Sequence, residues 1–274
     1  MKIWRELRWS VVVFLVMYSL SCSLDPVSGK KTYNWYSLSD DVRFGKQVLD
    51  TQLADLHKQS KTYDTDTAEL ARIKEIVRRI ARVSHHPDFP YEAHLANLPI
   101  VNAWCAPGGK IMVYTGLWDG PNALVNKRDA NELAAVLGHE MAHANARHVT
   151  KALSRNMTLM VVGEVATSII GAASVEGADL FGQIFSQGVN VYVPSYSRKN
   201  ESQADRIGLM YMARAGYDPR AAVRLWERAA QKRGDRTSIY SSHPANGERA
   251  KKLRELLPAA MEAYEATRGH KSKK

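Results

Sequence analysis

His139, Glu140 and His143 stand in the order His-Glu-x-x-His. Residues four apart share a face of a helix, so two imidazoles there can hold one Zn²⁺ while the glutamate between them reaches a water at the metal. The local pattern predicts that helix. Asp129 followed by Glu132 reads as a capping box, which starts the helix near Ala130. Leu133, Val136, Leu137, Met141 and Ala144 recur at helical spacing as a buried stripe. His139 and His143 lie beside that stripe on the helical wheel, facing the edge of a cleft.

Two histidines and a water leave a tetrahedral zinc site one protein ligand short. A third His six residues after the second, with a Gly between, is excluded, because those positions are Val149 and Ala146. His148 is about 180° from His139 on a continued helix, which makes it a structural or supporting histidine rather than a ligand. A glutamate on a later helix fits better. Glu201, Ala204, Asp205, Gly208, Leu209 and Met212 form one helical stripe, and the small Ala204 and Gly208 permit close approach of another helix. Glu201 then points at the metal. Asp205, one turn on, can accept the free ring N–H of a ligating histidine and fix its tautomer. Asp129, Asp205 and Cys105 are the remaining candidate donors. Their context is weaker, and Cys105 stands beside Pro107-Gly108-Gly109 with no second cysteine nearby, as a free thiol.

The rest of the chain must position these groups. Val42, Leu49, Leu53 and Leu56 suggest a helix after Ser39, and Leu70, Ile73, Ile76, Val77, Ile80 and Val83 another, closed by Pro87 and Pro90. Residues 91–114 read as short strands ending in a hairpin at Pro107-Gly108-Gly109. Tyr217-Asp218-Pro219 opens a helix with Ala222, Leu225 and Ala229 inward, and a basic helix begins near Gly247. The glycine-rich segment 157–197 reads either as a lid or membrane-touching flap, or as a plain loop with short buried helices. The expected fold is α+β and mainly helical, with a small sheet beside the active-site helix.

Length and composition bound the setting. A chain of 274 residues, 45% hydrophobic and without a compositional break, suits one domain, set at residues 37–270. Lys2, Arg5 and Arg8 precede a short apolar run from Trp9 to Leu20, the form of a signal peptide over residues 1–22. Ser19-Leu20-Ser21-Cys22 resembles a bacterial lipobox, although Ser19 stands where Leu is usual, and makes Cys22 a candidate lipid anchor. Residues 23–36, with Pro26 and Gly29, read as a tether to an outer-membrane location on the periplasmic side. With Cys22 acylated, Cys105 has no disulfide partner. The net charge of +10 gathers toward the C-terminal quarter. It suits either a solvated helix face or anionic lipid headgroups, and no nucleic-acid reading motif accompanies it.

Gly138-His139-Glu140-Met141-Ala142-His143, Arg147-His148, Glu201-Ser202-Gln203-Ala204-Asp205, and Ser242-His243-Pro244 with Arg249 together resemble the HtpX and CAAX-prenyl-protease type of zinc metallopeptidase, peptidase family forty-eight. So does the stretch Asn102 to Leu117. The resemblance runs over roughly residues 35–257 and is nearest to the small periplasmic, lipoprotein-like branch, some of whose members have quality-control roles. It implies a gluzincin fold with one Zn²⁺ per chain, held by His139, His143 and Glu201, with Glu140 as base and the His243 loop over the site. It lacks the multiple apolar spans of the integral-membrane members, which argues against CAAX processing.

These readings converge on peptide hydrolysis. Glu140 takes the proton of the attacking water and returns it to the leaving amine, and His243 or Arg249 stabilises the oxyanion. The strand near Lys110 to Tyr114 is expected to offer an unpaired edge to which an unfolded peptide adds as a strand. The alternative is a zinc-stabilised chaperone or binding module that holds such clients without cutting them.

Overall fold

Helices form where the apolar spacing predicts them. The computed structural model describes residues 22–25, 27, 29–158, 196–231 and 247–271. The signal segment, most of the glycine-rich stretch 157–197, and His243 with its loop lie outside the described residues. The helices are α1 (Leu38–Lys58), α2 (Thr67–Ala81), α3 (Ala130–Asn145), α4 (Arg198–Arg214), α5 (Arg220–Gln231) and α6 (Gly247–Lys271). Ser37 caps α1 in a reciprocal box with Asp40, and Asp66 caps α2. Asp129 caps α3 by accepting from the N–H groups of Asn131 and Glu132. Glu132 does not close the expected capping box. Its carboxylate turns away to accept from the Asn126 N–H at 2.7 Å and from Arg228 at 2.7 and 2.9 Å. A buried carboxylate gains more from a bidentate guanidinium than from one exposed N–H.

Three strands build the sheet beside α3, in the order β3 (Glu92–Ala96), β5 (Lys110–Tyr114), β4 (Ala103–Ala106). β3 runs parallel to β5, and β4 pairs with it antiparallel through the expected hairpin. The turn needs its glycines. Gly108 and Gly109 have φ of 69° and 86°, and a Cβ on Gly108 would lie 2.5 Å from the Cα of Val42 in α1.

The expected edge at Lys110–Tyr114 is therefore a central strand, paired on both sides. Its unbroken apolar run Ile111-Met112-Val113-Tyr114 is what burial on both faces requires. Alternation divides the sheet between two cores. Ala103, Cys105, Ile111 and Val113 join the main core with α2 through α6, whereas Trp104, Ala106, Met112 and Tyr114 pack on Val48, Leu49 and Leu56 of α1.

The segment read as a tether is docked. β1 (Cys22–Leu24) and β2 (Lys31–Tyr33) form an antiparallel pair. Asp25 is buried and pairs with Lys151 at 2.8 Å. Asn34 donates to Thr150 and accepts from Ser154, and the Trp35 N–H donates to the Ser154 hydroxyl. The docking is mostly polar, so a scarcity of aliphatic residues did not reveal it. No described helix is long and apolar enough to cross a membrane.

Candidate metal centre

Two glycines bring the reactive helices together. α3 is buried on every side from Glu132 to Asn145, not along one stripe, so His139 and His143 lie inside the protein rather than at a cleft edge. α4 crosses it at van der Waals distance. A Cβ on Gly208 would stand 2.7 Å from the His139 nitrogen, and one on Gly138 would stand 2.9 Å from the Gly208 carbonyl oxygen. The small stripe of α4 thus does what its spacing suggests, and Gly138 is its counterpart.

The crossing gathers His139, His143 and Glu201 so that one donor atom from each lies within 4.8 Å of the others. The two Nε2 atoms are 3.0 Å apart. The Glu201 carboxylate stands 3.3 Å from the His143 Nε2 and 3.4 Å from the His139 Nε2. Donors about 2.0–2.1 Å from a tetrahedral zinc are separated by about 3.3 Å. Two imidazole nitrogens and a carboxylate oxygen at this spacing fit zinc in both geometry and donor type. Glu140, between the two histidines in sequence, is buried with them.

Each histidine has a different partner behind it. On one side, Asp205 Oδ1 lies 3.0 Å from His139 Nδ1. Arg249 from α6 clamps Asp205 with Nε and Nη2, at 2.7 to 3.0 Å. The same guanidinium lies 3.4 Å from Glu201 and stacks 3.6 Å over the Trp226 ring. Burial pushes the Asp205 carboxyl up, but Arg249 and His139 outweigh it and hold the group below the ordinary range. For His139, burial and Arg249 favour the neutral ring, yet Asp205 and Glu201 together leave its pKa raised. Asp205 thus stands where the α4 stripe puts it. Arg249, expected at the oxyanion, is instead tied to Asp205.

On the other side, His148 Nδ1 is 2.8 Å from His143 Nδ1, and His148 Nε2 is 3.1 Å from the Gln203 side-chain oxygen. Tyr196 lies flat on the His143 ring, with centroids 3.7 Å apart. His148 reaches this place because α3 does not continue. It ends at Asn145, Arg147 takes a left-handed φ of 56°, and residues 148–158 start a new helical stretch. The wheel position expected for His148 assumed an unbroken helix and does not apply; His148 lies against His143, outside the candidate metal group. Arg147 holds the bend by donating to Asp41 at 2.5 Å and to the carbonyls of Tyr36 and Ser37. Burial drives the His148 pKa down to about 4, which keeps this side neutral.

The other candidate donors lie elsewhere. Asp129 is the α3 cap. The buried Cys105 thiol is pushed well up, first by burial and then by the Glu140 charge, so it is a poor ligand. Tyr196 and Trp226 carried no signal of their own in the sequence. Gln203 stood in the motif that runs from Glu201 to Asp205, but with no task assigned to it.

The model of Peptidase family M48 matches residues 67–257. The chain is 33% identical over 254 residues to the protein named mitochondrial metalloendopeptidase OMA1 of Schizosaccharomyces pombe, covering 90% of this chain and 69% of that protein. It is 36% identical over 197 residues to the Arabidopsis thaliana protein of that name, covering 72% of this chain and only 37% of the other. It is 26% identical over 231 residues to metalloprotease YcaL of Escherichia coli, covering 84% of this chain and 85% of that protein. The match spans α2 to α6, including both helices that carry the metal group and the helix that carries Arg249, and on these grounds the chain belongs to peptidase family M48, a family of metallopeptidases.

Proposed function

We propose that this chain is a zinc-dependent endopeptidase of the bacterial cell envelope that cuts unfolded or misfolded proteins. The observation that carries this reading is the convergence of His139, His143 and Glu201 around one point, with Glu140 buried next to His139 on the same helix. One Zn²⁺ per chain, bound by those three residues, supplies Lewis acidity toward a carbonyl and acidifies water. Glu140 then takes the water proton on its carboxylate and delivers it to the departing amine. Asp205 and His148 hold the two imidazoles in place. Arg249 contributes fixed positive charge beside the group; the family resemblance implies that the His243 loop lies over the site, and we assign His243 the oxyanion role there.

The substrate adds as an extended segment along β4, which packs against α3 and has no strand on its outer side among the described residues. Main-chain pairing of this kind selects flexible segments rather than particular side chains. The metal group and β4 are both buried, so a substrate reaches them only after covering chain moves aside. That suits an enzyme that acts conditionally. Cys22 opens β1, and we assign it the lipid anchor to the outer membrane on the lipobox. Holding clients without cutting them needs only a structural zinc site, which has no need of the base that Glu140 supplies in this motif.

The test is cleavage of an unfolded model protein by the metal-replete chain, with Glu140→Gln alongside and fragments read by mass. Cutting by the parent alone is expected. Equal cutting by both proteins, or zinc binding with no cutting under any condition that opens the site, would overturn the assignment.

A further inference from the structure

The contact between His143 and His148 constrains protons as well as positions. Two ring nitrogens 2.8 Å apart share one hydrogen, so one donates and the other accepts. The other nitrogen of His148 faces the Gln203 side-chain oxygen at 3.1 Å, and a carbonyl oxygen only accepts. A neutral His148 therefore carries its hydrogen on Nε2 and presents a bare Nδ1. It follows that His143 donates from Nδ1 and keeps Nε2 bare, and since Nε2 is the nitrogen facing His139 Nε2 and Glu201, any hydrogen in the 3.0 Å contact between the two Nε2 atoms belongs to His139. Reversing the Gln203 amide would reverse every step and place a hydrogen on Nε2 of His143, where a metal could not bind.

The surroundings hold this arrangement in register. Tyr196 stacks on the His143 ring at an interplanar angle of 23°, which opposes rotation of the ring. The left-handed Arg147, anchored to Asp41 and two carbonyls, aims His148 back at His143. Gln203 sits on α4 between Glu201 and Asp205, so one helix carries the third ligand and both outer controls.

We propose that Gln203 and His148 form a neutral hydrogen-bond relay that sets the tautomer of His143, making them positioning residues for zinc that never touch it. The proposal rests on the zinc reading of the site, and its test separates the two. The protein is the full chain. The readouts are the ¹⁵N shifts of the His143 ring in the metal-free protein and the zinc affinity by chelator competition. The parent is expected to show His143 protonated on Nδ1.

Gln203→Lys replaces an acceptor with a donor and should move that hydrogen to Nε2 and weaken zinc about 10- to 100-fold, the range for outer-shell partners. His148→Leu should weaken zinc similarly, and His148→Asn, whose amide oxygen can accept from Nδ1, should restore part of the loss. Gln203→Glu, still an acceptor, should keep both the tautomer and the affinity. If His148→Leu does not fold, the two Gln203 variants decide the matter. An Nε2-protonated His143 in the parent, or parent-like zinc affinity in folded Gln203→Lys, would overturn the relay. A parent that shows the Nδ1 tautomer yet binds no zinc would overturn the zinc reading and leave the relay standing.

Discussion

The two flanks of the metal group are built differently. His139 is backed by charge, a buried Asp205 locked to Arg249. His143 is backed by a neutral imidazole and an amide, with an aromatic ring on its face. A carboxylate behind an imidazole raises its basicity as well as fixing its orientation, whereas a neutral acceptor chiefly fixes orientation. The charged flank needs a compensating guanidinium because a lone buried carboxylate is costly. The neutral flank needs no counter-charge, but depends on one amide pointing the right way. The same α4 turns serve both, since Gln203 and Asp205 are two residues apart and diverge to opposite sides.

The comparison can be broken most sharply at the residue both flanks share. Glu201→Gln should reduce zinc affinity by more than about 100-fold, beyond the effect of any outer partner. A chelator titration that places it with the outer-partner variants would mean Glu201 is not a ligand. Next comes Asp205→Ala. It should cost about 10- to 100-fold in zinc affinity and, by leaving Arg249 buried without its partner, about 3–5 kcal/mol of stability in denaturant unfolding. An unchanged unfolding midpoint would show that the charged flank is not a buried ion pair in solution.

Arg147→Ala tests the anchor of the neutral flank. Burial already holds the Asp41 carboxyl above its ordinary range, against the pull of Arg147. A carboxyl whose folded pKa is raised contributes stability at low pH and loses it as pH rises through that pKa. Without Arg147 the folded pKa rises further. The variant should therefore be about 3–5 kcal/mol less stable near neutral pH, and the deficit should shrink toward the acid side as Asp41 protonates. Unfolding curves at several pH values will show this trend, and a pH-independent deficit would contradict it. The smallest effect is expected from Gly208→Ala. A single methyl at the crossing should cost about 1–3 kcal/mol and weaken zinc by moving Glu201 from both histidines alike. A loss of zinc without any change in melting temperature would argue against a packed crossing.

Much of the site was legible because its members lie at helical spacing. His139 and His143 share a face, and Glu201, Asp205 and Gly208 share another, so period alone placed them. Arg249 was legible only as a member of the set, not in its task, because its partner Asp205 is on another helix. The failures have a common cause. Glu132 left the capping box for Arg228, a residue far along the chain. β5 became central because β3 pairs with it directly, although β4 lies between them in the sequence. The segment before α1 docked through Asp25 and Asn34, and their partners Lys151, Thr150 and Ser154 sit on a helical stretch with no apolar signal for the contact.

What the chain determined by itself is the set of elements and their faces. Apolar period, caps and turn glycines are local, and local chemistry decides them. It also determined the donor types, and through Ala204 and Gly208 it marked α4 as a helix able to approach another closely. What only the tertiary structure decided is which nitrogen of each histidine meets which partner. That depends on the break at Arg147, the crossing at Gly138 and Gly208, and the arrival of Arg249 from α6. A helical period assigns a residue to a face, but the direction of a shared proton is settled only when the groups on two facing elements meet.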